Sequence, residues 1–182
     1  MPEVEDRHIL DLIGQPESRN YGFDLLVRKY QERVYWLVRR IVISHEDADD
    51  VVQNIFIQVW EHIDSFRGDS QVYTWIYRIA VNEALRWLNK NRLKQLVSFS
   101  TVGRKLEETL TADPFFLGTE LELKLQKAML RLPFKQRLVF QMKYYDAMKY
   151  KEISEILGTT VGALKASYHH AVKKIEQTLL NY

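Results

Sequence analysis

Five residues spaced four apart, Thr74, Arg78, Asn82, Arg86 and Lys90, raise the first chemical question. At about 100° per residue they form one row along a helix. Basic side chains in a row neutralise phosphates, and an amide between them can bond a base edge. Asn89 lies beside the row. The opposite face takes Val72, Ile76, Ile79, Ala80, Ala84 and Trp87, widened by Tyr73, Tyr77 and Leu88, so core packing accounts for most of the aromatics. Glu83 falls near the apolar face and Leu85 near the polar one, against the pattern. Ahead of the helix, residues 66–71 (FRGDSQ) form a loop able to line a pocket for an unstacked base.

A second constellation lies near the C-terminus, in YKEISEILGTTVGALKASYHHAVKK. A short helix ends at Gly158, three residues turn, and another helix starts near Val161. Ser154 is small where the two must approach, and Ile153, Leu157, Val161 and Leu164 supply apolar contacts. This is helix-turn-helix spacing, whose second helix lies in the DNA major groove. Its outward side offers Lys165, Ser167, His169 and His170, with Lys173 and Lys174 further on, groups that bond phosphates or base edges. No Arg lies on this helix, so a guanidinium fork on guanine is excluded. An αα-hairpin with a merely solvated face has the same spacing and is the plainer alternative.

The third candidate is SHEDADDVVQNIFIQVW. Ser44 and Asp47 resemble a capping box, and Glu46, Asp47 and Asp49 sit where the helix dipole favours negative charge. A carboxylate metal site would need Glu-x-x-His pairs from several helices, which are absent here; no metal or other cofactor is expected. Val52, Ile55, Phe56, Val59 and Ile63 form the core stripe. Asp50, Gln53, Asn54, Ile57 and Glu61 lie opposite. There Ile57 is either a lone exposed apolar residue or the centre of a small protein-binding face.

The elements that must carry these groups are helical. Apolar residues recur at three and four rather than two throughout, which predicts an all-α protein with helices near 21–43, 45–65, 70–92, 120–131, 134–146, 149–157 and 161–179. Residues 95–119 have no sustained period and carry Gly, Pro, Ser and Thr. They read as a flexible linker between two small helical domains, 1–94 and 120–182, the second holding the helix-turn-helix. The net charge of +2 hides an acid-free run between Glu83 and Glu107 that contains Arg86, Lys90, Arg92, Lys94, Arg104 and Lys105. With no Cys in its 182 residues, the chain makes no disulfide, thiolate nucleophile or zinc-thiolate site. No apolar run is long enough to span a membrane, and the acidic N-terminus does not read as a signal peptide, so a cytoplasmic location is expected.

Taken in order, the three motifs resemble those of bacterial RNA polymerase sigma factors of the extracytoplasmic-function (ECF) group, over roughly residues 21–180. DADDVVQNIFIQVW looks like that family's polymerase-binding helix, FRGDSQVYTWIYRIAVNEA like its −10 loop and helix, and YKEISEILGTTVGALKASYHHA like its −35 helix-turn-helix. The resemblance implies a promoter-specificity subunit that is not itself an enzyme. It implies that Asp50, Gln53, Asn54 and Ile57 meet the β′ clamp helices, and that the second domain meets the β flap. Asn54 stands where the family usually has Glu. Arg67, Gly68, Asp69, Ser70 and Gln71 would capture a flipped −10 base, and Asn82, with Arg78, Arg86 and Lys90 in its row, would contact the −10 element. Tyr150 and Lys151 would meet the DNA backbone, and Lys165, Ser167, His169, His170 and Lys173 the −35 element. The family commonly has Arg at some of these, so sequence specificity is not inherited. The linker would thread the polymerase's RNA channel, and an anti-sigma protein is a possible further partner. A free-standing helix-turn-helix repressor or activator is the alternative, and it predicts a symmetric dimer on a palindrome.

Overall fold

The computed structural model describes residues 4–95, 107–112 and 118–181, without the side chains of 91–95, and all regular structure among them is helical. The helices are α1 (Asp6–Ile13), α2 (Arg19–Val42), α3 (His45–His62), α4 (Val72–Gln95), α5 (107–112), α6 (Glu120–Leu130), α7 (Phe134–Tyr144), α8 (Tyr150–Leu157) and α9 (Val161–Leu179). A short 3₁₀ turn, Ile63–Ser65, closes α3. The helical boundaries lie within a few residues of those expected from periodicity, and the two helical domains are present.

Local chemistry sets the boundaries. Ser44 accepts from the Asp47 N–H at 3.3 Å at the start of α3, with Glu46 and Asp47 in its first turn. A complete capping box starts α6: Thr119 Oγ1 accepts from Glu122 N–H, and the Glu122 carboxylate accepts from Thr119 N–H at 2.6 Å. Gly158 ends α8 at φ 60°, a left-handed cap in open space.

Two elements depart from the sequence expectation. Residues 6–13 form a helix, α1, which buries Ile9 and Ile13 against α2. Within 95–119, residues 107–112 are helical rather than irregular, and Leu110 is buried with Ile43 and Leu130. The rest of the expected linker, apart from the backbone of Gln95 and residues 118–119, lies outside the described residues. So do the side chains of Arg92 and Lys94, and Arg104 and Lys105.

Helices α1 to α4 pack around Leu26, Val34, Leu37, Val38, Ile41, Ile55, Val59, Ile76 and Ala80. Helices α6, α7 and α9 enclose a smaller cluster of Ala128, Met129, Leu132, Phe140, Ala171 and Ile175. The larger core does not stop at the domain boundary. Met142, Met148, Ile153, Ile156 and Leu164 continue it, because α8 packs on α4 and α7 on α2. Arg40 and Asp146 pair across this junction at 2.7 Å, and Gln141 Nε2 donates to the Arg40 carbonyl at 2.9 Å.

Candidate nucleic-acid and partner-binding surfaces

On α3, Asp50, Gln53, Asn54 and Ile57 occupy positions i, i+3, i+4 and i+7 and are all exposed, so one face holds them. Ile57 is 54% exposed. The opposite face buries Ala48, Val51, Ile55, Phe56 and Val59; Val52, expected in that stripe, is only half-buried. The acids at the helix start are spread between cap and solvent, and no cluster of metal-ligating residues occurs among the described residues.

The loop before α4 is open. Arg67, Gly68, Asp69 and Gln71 are exposed and Ser70 is half-buried. Gly68 has φ 76° with nothing within 4 Å of where a Cβ would stand, a backbone state that a glycine adopts without strain. Phe66 anchors the loop on Trp75, their ring centroids 5.5 Å apart, and the Gln71 carbonyl accepts from Trp75 N–H at 3.1 Å to begin α4.

Along α4 the row is shorter than its spacing suggested. Thr74 is 1% exposed and belongs to the core, so the exposed row begins at Arg78 and runs through Asn82 and Arg86 to Lys90. Two of its cations have protein partners. Arg78 Nη2 donates to the Glu155 carbonyl of α8 at 2.7 Å. Arg86 Nη1 lies 2.9 Å from the Glu83 carboxylate, which also accepts from Gln58 Nε2 of α3 at 2.8 Å. Glu83 therefore ties α3 to α4, which accounts for an acid near the apolar side. Tyr73, half-buried beside the row, has its phenol pushed up to about 12, first by burial and then by the Glu152 carboxylate of α8.

The helix-turn-helix forms as its spacing predicted. Ser154 Oγ donates to the Thr159 carbonyl at 2.6 Å and so fastens the turn, and Thr160 caps α9 by accepting from Ala163 N–H. Ile153 and Leu164 are buried and Leu157 half-buried. Val161 is exposed rather than part of the contact, and Ile156, one turn after Ile153, is buried in its place. Lys165, His169, His170 and Lys173 are exposed along α9 as expected, whereas Ser167 is half-buried. Lys151 is exposed. Tyr150 is half-buried with burial pushing its phenol up, and Lys143 Nζ and Lys165 Nζ lie 5.3 and 6.0 Å from its ring centroid. Lys143, on α7, joins the basic surface only through the fold; its sequence position carries no such signal.

Comparison with known proteins agrees with this layout. The Sigma-70 region 2 family matches residues 26–94 and the Sigma-70 region 4 family matches residues 122–175. The ECF RNA polymerase sigma-E factor of Escherichia coli K12 is 34% identical over 183 residues, covering 96% of this chain and 94% of that protein. Its namesake in Haemophilus influenzae is 31% identical over 185 residues, covering 97% and 96%. Among solved structures, CnrH in complex with the cytosolic domain of CnrY aligns with a TM-score of 0.68 at 20% identity, over 96% of each chain. The sigma factor RpoE with the anti-sigma factor NepR from Bartonella quintana aligns at 0.69 and 18%, over 86% of this chain and 96% of that one. No helix among the described residues is long and apolar enough to cross a membrane. With region 2 carrying the exposed faces of α3 and α4, and region 4 carrying the helix-turn-helix, the chain belongs to the ECF group of the sigma-70 family, the promoter-recognition subunits of RNA polymerase.

Proposed function

We propose that the three exposed faces divide the work of initiation between them. The α3 face of Asp50, Gln53, Asn54 and Ile57 docks on the clamp helices of the β′ subunit. An exposed apolar side chain ringed by polar ones has the make-up of a small interface centre. The 67–71 loop captures a base flipped from the −10 element, and Asn82 contacts a −10 base while Arg78, Arg86 and Lys90 neutralise phosphates. Tyr150 and Lys151 meet the DNA backbone, and Lys165, Ser167, His169, His170 and Lys173 address the −35 element, with the same domain meeting the β flap. Residues 1–94 and 120–182 act as the two binding domains and 95–119 as their linker. The chain acts by binding in the cytoplasm, without catalysing a covalent step itself. An anti-sigma protein is a fitting partner, since RpoE, a structural neighbour, is bound to one.

The observation that carries this reading is the exposed Asn82, set between basic side chains on a helix that begins at an open glycine loop. A free-standing repressor or activator leaves the region 2 match over residues 26–94 unexplained. The test is reconstitution with purified core polymerase and a candidate promoter. Asn82→Ala should assemble with core normally and lower −10-dependent opening by about tenfold, since a good base contact contributes about 1–3 kcal/mol. Loss of core binding in that variant would make Asn82 structural. Failure of the parent chain to bind core, together with tight binding of a palindrome, would overturn the assignment.

A further inference from the structure

We infer that the −35 face takes up protons as it binds: His169 and His170 meet DNA as imidazolium cations on phosphates, not as neutral readers of base edges, so promoter affinity rises as the pH falls. This rests on the proposed assignment of α9 to the −35 element.

The two imidazoles are exposed side by side on α9, their ring centroids 6.0 Å apart. Among the described residues neither ring takes part in a hydrogen bond or an ion pair. A histidine that reads a base edge is held in one tautomer by a bond to its second ring nitrogen. His169 and His170 have no such bond, so nothing in the fold aims a chosen donor or acceptor at a base.

The charges around the pair are cationic. Lys165 and Lys173 stand four residues to either side of His169, and Lys173 and Lys174 three and four residues after His170, all exposed. The nearest acid of α9 is Glu176, six residues past His170. Helices α6, α7 and α8 pack against α9. From these, Lys143 and Tyr150 join this side, with Lys143 and Lys165 both over the Tyr150 ring, and Lys151 is exposed beside them in sequence. Helix α7 has no acid. Of the acids on α6 and α8, Glu120 pairs with Lys124 at 2.8 Å, and Glu122 and Glu152 accept from the N–H groups of Thr119 and Lys149. Glu155 is half-buried where its carbonyl meets Arg78.

A phosphate within about 4–6 Å favours the charged imidazole. Histidine ordinarily titrates near about 6.5, so a proton held more tightly beside DNA makes binding consume protons. The added affinity is present in full below the ordinary value and is lost as the pH rises through the raised one. A rise of about one unit per ring, the low end for an opposite charge at that distance, gives about sixfold tighter binding per ring at pH 6 than at pH 8, and about 35-fold for the pair. Each imidazolium also releases a further counterion, which steepens the salt dependence.

The test measures the affinity of holoenzyme, assembled from the full chain and purified core polymerase, for a candidate promoter duplex at fixed salt. Both histidines are exposed, so their substitutions leave the core untouched. Relative to His169→Gln/His170→Gln on the same core, the parent should gain about 35-fold as the pH falls from 8 to 6, and each single Gln variant about sixfold. The parent's salt slope should steepen by about 1 over the same interval beyond any change in the double Gln variant. His169→Lys/His170→Lys carries fixed charges; it should bind tightly already at pH 8 and follow the pH profile of the double Gln variant. A parent profile parallel to that of the Gln variant would overturn the proton uptake. So would a Lys variant that binds no more tightly than the Gln variant at pH 8. Lys165→Ala tests the α9 assignment separately: weaker binding with a shallower salt slope keeps α9 on the DNA, whereas unchanged binding at every pH would remove it.

Discussion

Ile43 sits at φ 72° and ψ −44°, with Ser44 N–H bonded back to the Val42 carbonyl at 2.9 Å. This is a left-handed γ-turn, a rare and strained form costing about 1–3 kcal/mol, and a β-branched side chain fits it badly. What offsets the strain is burial: the side chain is enclosed with Leu110 and Leu130, and truncating a buried Ile to Ala costs about 2–5 kcal/mol. Glycine would lose the side chain but relieve the turn, while alanine loses most of the side chain and keeps the strain. Ile43→Gly should therefore melt below the parent but above Ile43→Ala, the reverse of the usual order; Ala above Gly would mean that the turn is unstrained. Individual side chains also mark how far the sequence is legible. Asn82, Lys90 and the α9 basic groups were readable because exposure along one helix follows its period. Arg78 was readable as a position but not in its partner, since Glu155 lies 77 residues away, and the Gln58 that joins the Arg86–Glu83 pair lies 25 residues from Glu83. Thr74 departs from the wheel because α2, α3 and α8 all pack on α4, and one helix's wheel does not include the helices that surround it.

Among the elements, long amphipathic helices announced themselves and short ones did not. The sequence DRHILDLI of α1 offers eight residues and two fully buried side chains, too little period to separate from a polar tail. Its place is visible instead in Gly22, on α2. A Cβ there would stand 2.8 Å from Leu12 Cβ and 2.9 Å from the Ile13 backbone nitrogen. Neither atom can rotate away, so α1 must move. Overpacking of this kind costs about 1–3 kcal/mol, against about 1 kcal/mol gained from alanine's helix propensity. Gly22→Ala should lower the melting temperature and speed hydrogen exchange across residues 6–13, with α3 and α4 unaffected. Unaltered exchange in α1 would show that the two helices have slack between them. The helix-turn-helix was the most legible element, because Gly158 ends α8 where its identity declares, as a left-handed cap; Ser154, read only as small, also fastens the turn through its hydroxyl, and Thr160 caps α9.

At the scale of the molecule, the docking of the two halves follows from no local pattern. It depends on the apolar core that continues across the junction, on one buried ion pair and on the Gln141 and Arg78 hydrogen bonds. Burial pushes the Asp146 carboxyl above its ordinary value even with Arg40 beside it, which means that desolvation offsets much of the attraction. Such a pair fixes register more than it adds stability. Replacing both partners by apolar side chains tests that balance. Arg40→Met keeps an unbranched stem beside the Tyr145 ring, and Asp146→Leu removes the buried carboxylate. Exchanges of buried pairs for apolar residues are often neutral or stabilising, by about 1–4 kcal/mol. The double variant should melt higher, by about 2–4 °C per kcal/mol for a chain of this size. A lower melting temperature would show instead that the ion pair supplies net attraction.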